Sequence, residues 1–160
     1  MAIEQGDTMP SGVFGVMTDS GPGAISTDEL FAGKKVILVS VPGAFTPTCS
    51  ANHLPGFIDH AEQLAGKGVD TIACMAVNDV FVMDAWGKSR EVGDQILMLA
   101  DGNGDYTKAL GLELDASGFG MGIRGQRFAI VVDDGVATHV HVEEGGEFRV
   151  SAAEAILDVL

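Results

Sequence analysis

Two long apolar runs constrain the fold of this chain more than any other feature. Residues 35–41 and 69–77 are mostly apolar and rich in β-branched side chains, without the alternation of apolar and polar positions. A strand with one face in solvent alternates, so these runs predict strands that are covered on both faces. The stretch between them is long enough for a helical crossover. The sequence therefore predicts two buried strands of one central sheet.

Two helices are predicted next to these strands. The first carries an apolar stripe at three- and four-residue spacing, with Pro55 inside it as a predicted kink and a glycine-rich stop at residues 66–68. The second helix is predicted over residues 79–92. The stripe of the first helix consists of Leu54, Phe57, Ile58, Ala61, Leu64 and Ala65. The apolar contributions of the second are Phe81, Val82, Ala85 and Trp86.

The remaining segments complete an α/β pattern. Asp133, Asp134 and Gly135 separate two β-rich runs, and Asp-Gly in that setting is a strong hairpin signal. The other predicted elements are a hairpin or irregular lead-in at 1–32 with a capped turn at 26–31, a strand at 96–100, a short helix ending at 110, a long glycine-rich loop at 111–125, and a helix at 151–160. The simplest topology is one thioredoxin-like domain over residues 1–160, a central mixed β-sheet flanked by helices with an N-terminal hairpin extension.

Charge and composition exclude several classes of function. The formal net charge is −14, whereas nucleic acids and anionic membranes attract basic surfaces, so we expect neither partner. No apolar run approaches the roughly 20 residues of a membrane span. The two cysteines form neither a C-x-x-C nor a disulfide framework, and the first residues lack signal-peptide features, so a cytoplasmic location is expected.

No metal or cofactor site is predicted. His139 and His141 share one face of a strand, but no third ligand lies nearby in the sequence, so we interpret them as a solvent-facing pair. The glycines of residues 118–122 do not stand between a strand and a helix, which excludes a phosphate-binding fingerprint.

The stretch over residues 41–50 places a cysteine at a strand-to-helix junction. Thr46 followed by Pro47 fits an N-cap and the first helical position, which puts Cys49 in the first helical turn. The unpaired amides and the positive dipole end of that turn favour a thiolate over a thiol. A buried, unreactive cysteine is the alternative, as is a purely capping role for Thr46.

The same stretch resembles the P-x-x-x-T-x-x-C loop of the peroxiredoxins. Pro42, Thr46 and Cys49 occupy the three fixed positions, and residues 53–57 (His-Leu-Pro-Gly-Phe) are similar to the type II, peroxiredoxin-five-like subfamily. Similar segments follow in order at 77–87, 99–102 and 124–135. The resemblance implies a thiol peroxidase that reduces hydrogen peroxide and alkyl hydroperoxides through a sulfenic acid on Cys49.

The resemblance also implies roles for the surrounding residues. The Thr46 hydroxyl would accept from the thiol or amide side and donate to a peroxide oxygen. Pro42 would shield the sulfur, and Arg127 would lower the pKa of Cys49 and polarise the peroxide. A solvated arginine at a strand end is the alternative for Arg127. Arg124 would assist it or face a carboxylate.

Further residues were assigned to the entrance and to a dimer contact. His53 stands one helical turn after Cys49 and is a candidate to contact the site or the substrate entrance, and Phe119 with Met121 are candidates for an apolar pocket mouth. The subfamily commonly forms homodimers near the active-site loops. The candidates for that contact are Phe45, Phe81 and Trp86, with core packing as the alternative.

Cys74 lies in the middle of a predicted buried strand and is interpreted as inert packing, with a disulfide to Cys49 as the alternative. Relatives that form an intramolecular disulfide carry a further cysteine near the C-terminus, and residues 145–151 contain none. The resemblance then implies a one-cysteine cycle in which glutathione with glutaredoxin, or thioredoxin, reduces the sulfenic acid. A peroxide-sensing protein that relays oxidation to a binding partner is the alternative function.

Overall fold

A central mixed β-sheet organises the chain. The computed structural model describes residues 1–145 and 147–160, apart from the side chains of Cys49 and Ser50. The sheet has seven strands in the order β2-β1-β5-β4-β3-β8-β9. Their bounds are β1 Val13–Thr18, β2 Gly21–Ser26, β3 Lys35–Ser40, β4 Thr71–Ala76, β5 Leu97–Ala100, β8 Phe128–Asp133 and β9 Val136–Val142.

The middle of the sheet is parallel and its edges are antiparallel. β3 pairs with β4 and β4 with β5 in parallel, whereas β8 lies antiparallel to β3 and β9 to β8. The N-terminal hairpin of β1 and β2 joins the same sheet, because β1 pairs antiparallel with β5. The predicted mixed sheet is confirmed, and the hairpin extends its edge.

Helices cover both faces of the sheet. One face carries α2 Leu54–Asp59, α3 Ala61–Gly66, α4 Val80–Ser89 and α6 Ala153–Val159, and the other carries α1 Thr27–Phe31 and α5 Asp105–Leu110. Alternate residues of β3 therefore enter different cores: Ile37 packs with the first set and Leu38 with the second. Both side chains are 0% exposed. Burial on two faces explains why this strand shows no polar alternation.

The helix after residues 41–46 is interrupted twice. It begins at Pro47, continues as a π-helix over Cys49–His53, and returns to α-helical geometry in α2. Pro55 lies in the first turn of α2, where its missing amide hydrogen ends the preceding hydrogen-bond ladder. The helix type therefore changes next to Pro55, and the kink predicted there stays a prediction. A second break at His60, before α3, was not predicted.

Two predictions about the middle of the chain are wrong. Residues 111–125 are not one long loop, since β6 Glu113–Asp115 and β7 Ile123–Gly125 pair as an antiparallel ribbon around a 3₁₀ turn at Ser117–Phe119. The apolar face of α4 also differs: Phe81 is 62% exposed and Ala85 is exposed, whereas Met83 and Trp86 are buried. Trp86 is 0% exposed within the chain, so it belongs to the core and not to a dimer contact.

Gly111 gives a direct test of the packing between the N-terminal segment and α5. Its φ is +71°, and a Cβ there would lie 2.5 Å from the carbonyl oxygen of Met1. Gly33 is a matched control, because its φ is +66° and no atom lies within 4 Å of the corresponding Cβ position. Gly33→Ala should cost about 1 kcal/mol in unfolding free energy through its φ alone.

Gly111→Ala should cost about 1–3 kcal/mol more than Gly33→Ala, because the backbone of the N-terminal segment must move to accept the methyl group. Urea unfolding of both variants measures the difference. Equal losses of unfolding free energy in the two variants would show that the close contact with Met1 does not affect stability.

Candidate active site

The loop over residues 41–46 leaves the sheet at the carboxyl ends of β3 and β4. The Val41 amide donates to the Met75 carbonyl at 3.2 Å, which extends the parallel pairing one residue beyond β3. The Ala44 amide donates to Oδ1 of Asn78 at 3.0 Å, so the segment after β4 holds the loop by a side chain. Both contacts fix the loop to the rigid sheet.

Thr46 closes the loop. Its hydroxyl donates to the Gly43 carbonyl at 2.7 Å. Phe45 takes a φ of +65° and is 54% exposed, so the turn directs this ring to the surface of the chain. Because the Thr46 hydrogen is committed to Gly43, the hydroxyl retains acceptor capacity. The predicted donation from Thr46 to a peroxide does not fit this arrangement.

The backbone of Cys49 lies in the first turn of the helix that begins at Pro47, as predicted. The amides of such a turn have no intrahelical acceptor, and the dipole is positive there. The thiol itself lies outside the described part of the chain. Pro42, the other fixed position of the loop, is half-buried beside the end of β3.

Arg127 reaches the same edge from the antiparallel strand. Ser40 pairs with Phe128, so the next residue outward on β8 is Arg127 and the next on β3 is Val41. The half-buried guanidinium donates from Nη1 to Nδ1 of His53 at 2.9 Å. His53 ends the π-helix that starts at Cys49, so Arg127 lies within one helical turn of the predicted nucleophile.

His53 is a buried, neutral partner of Arg127. A guanidinium only donates, so Nδ1 accepts and the proton resides on Nε2, which donates to the Ser151 carbonyl at 3.0 Å. Burial, together with the positive charge of Arg127, lowers the pKa of His53 to about 3. Of the two predicted positions, contact with the site agrees with the bond to Arg127, whereas a place at the substrate entrance does not agree with a ring that is 0% exposed.

Phe148 covers the pair. Its ring centroid lies 5.0 Å from that of His53 in an edge-to-face arrangement and 5.9 Å from Cζ of Arg127. Phe57 contacts His53 from the helix side, with centroids 5.7 Å apart. These rings exclude water from the imidazole, which is the physical reason for its low pKa.

Arg124 fixes the β6–β7 ribbon against the loop. Nε donates to the Met121 carbonyl at 2.9 Å and Nη1 to the Val77 carbonyl at 3.1 Å, so it faces carbonyls and not a carboxylate. A Cβ on Gly43 would lie 3.3 Å from Met121 and 3.5 Å from Arg124. The ribbon therefore lies directly beside the loop. Phe119, at its tip, is 86% exposed.

Cys74 stands opposite Val39 in the centre of the sheet and is 1% exposed. Its predicted burial is confirmed, and its chemical inertness stays a prediction. His139 and His141 are half-buried, and His141 contacts the Val150 carbonyl at 2.7 Å. Within the described ranges, no group of three acidic, histidine or cysteine side chains has the geometry to hold a metal ion. Among the described helices, none is long and apolar enough to cross a membrane.

Comparison with known proteins identifies the family of this chain. The chain matches the Redoxin family over residues 4–157. It is 54% identical over 159 residues to Peroxiredoxin-2C of Oryza sativa subsp. japonica, with 99% of this chain and 98% of the relative covered. Reduced Prx3 from Vibrio vulnificus in complex with H2O2 matches at a TM-score of 0.94 and 54% identity, with 98% of each chain covered. The chain belongs to the peroxiredoxin family.

The type II subfamily is supported by a further structure. Peroxiredoxin 5 from Alvinella pompejana matches at a TM-score of 0.85 and 37% identity, over 97% of this chain and 96% of that chain. This peroxiredoxin is accordingly a thiol peroxidase with a thioredoxin-like fold, and the recognition made from residues 42–57 is confirmed.

Sequence reasoning missed three residues around Arg127 and His53 in this peroxiredoxin. Phe148 and Ser151 contact His53, and Glu143 contacts Ser151. The Ser151 backbone carbonyl accepts the hydrogen bond from His53. Every residue has a backbone carbonyl, so the identity of residue 151 gives no sequence signal for this contact. The three residues share only their place in the segment between β9 and α6.

His53 makes the stability of this peroxiredoxin depend on pH. Between its folded pKa of about 3 and its unfolded value near 6.5, the unfolded chain binds a proton that the folded chain does not. Stability therefore falls as the pH drops below 6.5. From pH 7 to pH 5, His53 alone should lower the free energy of unfolding by about 2 kcal/mol.

Urea unfolding of the parent and of His53→Gln at pH 5, 7 and 8 measures this contribution. The parent should lose about 2 kcal/mol more than the variant between pH 7 and 5. The step from pH 8 to 7 is the control, since His53 is neutral in the folded chain and mostly neutral in the unfolded chain there, and the two proteins should differ by only about 0.2 kcal/mol. Equal losses in parent and variant at pH 5 would contradict a neutral, buried His53.

Proposed function

We propose that Cys49 is the nucleophile that reduces a hydroperoxide in this peroxiredoxin. The thiolate sulfur attacks one peroxide oxygen, an S–O bond forms, and the O–O bond breaks. The sulfur loses two electrons and becomes a sulfenic acid, while the leaving oxygen takes a proton and departs as water or an alcohol. The observation that carries the proposal is the Arg127 guanidinium, bonded to the neutral His53 within one helical turn of Cys49.

Each residue near the loop has a distinct task in this mechanism. Arg127 contributes a permanent positive charge that stabilises the thiolate and the charge developing on the leaving oxygen. Thr46 accepts the hydrogen of the peroxide, because its own hydrogen is held by Gly43. Pro42 shields the sulfur without offering an amide hydrogen.

The substrate class follows from the entrance. Hydrogen peroxide and alkyl hydroperoxides are uncharged, and the ribbon beside Gly43 presents apolar side chains. Met121 lies next to the loop and Phe119 is exposed at the ribbon tip, which suits an alkyl group. Arg124 supports this mouth by tying the ribbon to Val77.

An external thiol completes the cycle. Residues 145–151 contain no cysteine, and Cys74 is buried in the sheet, so neither is assigned as the resolving thiol. The sulfenic acid is reduced by glutathione with glutaredoxin, or by thioredoxin. The second candidate is a sensor that passes its oxidation to a partner protein. The exposed rings of Phe45 and Phe81 favour contact with another protein, as a sensor requires.

A homodimer is part of the proposal. Phe45 is 54% and Phe81 62% exposed, and large exposed rings near a loop are typical of subunit contacts. The chain acts as one domain, in the cytoplasm, where reducing thiols are abundant. Its net charge of −14 disfavours nucleic acids and anionic membranes as partners.

A coupled assay separates the enzyme from the sensor. Peroxide is supplied with glutathione and glutaredoxin, or with thioredoxin and its reductase, and consumption of NADPH is followed. We expect many turnovers in the parent, none in Cys49→Ser, and retained turnover in the control Cys74→Ser. Stoichiometric oxidation without turnover under both reductants would favour the sensor. Loss of turnover in folded Cys74→Ser would make Cys74 the resolving residue.

Arg127→Gln tests the proposed electrostatic role. Without the guanidinium charge, the pKa of Cys49 should rise, since a neighbouring positive charge favours the thiolate. Each tenfold change in the acid dissociation constant of Cys49 corresponds to about 1.4 kcal/mol of lost thiolate stabilisation. The rate of alkylation by iodoacetamide as a function of pH measures this pKa. An unchanged pKa would remove the role assigned to Arg127.

A further inference from the structure

A carboxylate network connects the segment after β9 to the backbone of Arg127. Glu143 directly follows β9 and is 6% exposed. Its Oε2 accepts from the Arg149 amide at 2.8 Å, the Ser151 amide at 2.8 Å and the Ser151 hydroxyl at 2.6 Å. We call residues 143–145 and 147–151 the strap. Glu143 thus ties both ends of the strap together.

The network closes on itself through the active site. The Ser151 carbonyl accepts from Nε2 of His53, and Nδ1 of His53 accepts from Nη1 of Arg127. The Glu143 amide in turn donates to the Arg127 carbonyl at 2.9 Å. Four residues from three distant parts of the chain therefore form a ring of hydrogen bonds. Displacing one member changes the geometry of the others.

Glu143 is ionised in this position at neutral pH. Burial raises its pKa, but the hydrogen bonds from Ser151, Arg149 and Val150 outweigh it, and the pKa lies below its usual value. Its Oε1 is buried and has no hydrogen-bond partner among the described residues. An unpartnered buried carboxylate oxygen costs free energy, which a residue that only fills space would avoid.

The ring of hydrogen bonds helps to set the direction of the Arg127 guanidinium. The guanidinium is planar and its donors form a rigid fork, so fixing Nη1 on His53 limits the plane of the whole group. The His53 ring is fixed in turn at Nε2 by the Ser151 carbonyl, and the position of that carbonyl is set by Glu143. The strap also places Phe148 against both His53 and Arg127.

We propose that Glu143 and Ser151 are positioning residues that act on Arg127 through His53. The inference rests on the proposed function, since it concerns the guanidinium assigned to the peroxide step. Among the described residues, the contacts of Glu143 and Ser151 are with the strap, with His53 and with the Arg127 carbonyl, which is why they are called positioning residues. Their effect on the reaction passes entirely through the direction of the Arg127 fork.

Glu143→Gln is the principal test, with Glu144→Gln as the matched control because the neighbouring Glu144 is exposed. Glu143→Gln should lower the second-order rate of Cys49 oxidation by hydrogen peroxide by about 10- to 100-fold, since misplacement of a positioned group by about 1 Å can cost about 10²-fold. Alkylation of the fully formed thiolate by iodoacetamide should change much less. Glu144→Gln should leave both rates unchanged.

A double-mutant cycle shows whether the effect passes through Arg127. In an Arg127→Gln background, Glu143→Gln should cause no further loss, because the group that it positions is gone. The imidazole ¹⁵N signals of His53 should also shift in Glu143→Gln and not in Glu144→Gln. Equal losses with and without Arg127, or an unchanged peroxide rate in folded Glu143→Gln, would overturn the inference.

Ser151→Ala covers the case in which Glu143→Gln fails to fold. It keeps the amide and carbonyl of residue 151 and removes only the hydroxyl hydrogen bond to Glu143, so a smaller loss is expected, again absent in the Arg127→Gln background. No loss in folded Ser151→Ala would overturn the inference in that case. If Arg127→Gln itself keeps the parental peroxide rate, the proposed role of Arg127 fails as well. If Arg127→Gln reacts slowly with peroxide while Glu143→Gln and Ser151→Ala react at the parental rate, only the positioning role of Glu143 and Ser151 fails.

Discussion

A histidine can accept a hydrogen bond from a guanidinium only while it is neutral, and the active site depends on this condition. His53 and Arg127 are separated by 74 residues and meet at 2.9 Å. His53 stays neutral because it is enclosed by Phe57 and Phe148, which requires the helix and the strap to pack on the same edge of the sheet. The electrostatics of the site thus depend on apolar packing.

Local charge and overall charge act in opposite directions in this chain. The protein carries a formal charge of −14, which disfavours a thiolate, yet two of its nine basic residues lie around the loop. At physiological ionic strength charges are screened beyond about 8 Å, so distant carboxylates count little against an adjacent guanidinium. Hydroperoxides are neutral, and the negative exterior does not repel them.

The sequence predicted the elements whose signals are local. The unbroken apolar runs identified β3 and β4, and Asp134-Gly135 identified the β8–β9 turn, where both residues have positive φ. The buried face of α4 was predicted wrongly because the helix carries apolar residues on more than one side. Only packing against the sheet selects Met83 over Phe81 for burial. The β6–β7 ribbon was missed because three-residue strands among glycines carry no periodicity.

Prediction of the site divides in the same way. The loop, Cys49 and Arg127 came from residue identities that resemble a family, whereas the burial of His53 depends on rings that lie far away in the sequence. Four-residue spacing placed His53 on the face of Cys49, but spacing does not reveal what packs over that face. The second hydrogen bond of the His53 ring is made to the Ser151 backbone carbonyl, and a pattern of side chains cannot predict a bond to the backbone.

The strap explains how a single-cysteine cycle and a rigid site fit together. A segment that delivers a resolving thiol must leave its place during each turnover, and hydrogen bonds that hold it would slow that movement. Residues 145–151 contain no cysteine, so the proposed cycle does not need the strap to move. Its residues can then remain bonded throughout, with Glu143 holding Ser151 and Ser151 holding His53. The proposed reduction by an external thiol is thus compatible with an Arg127 that stays in place throughout the proposed cycle.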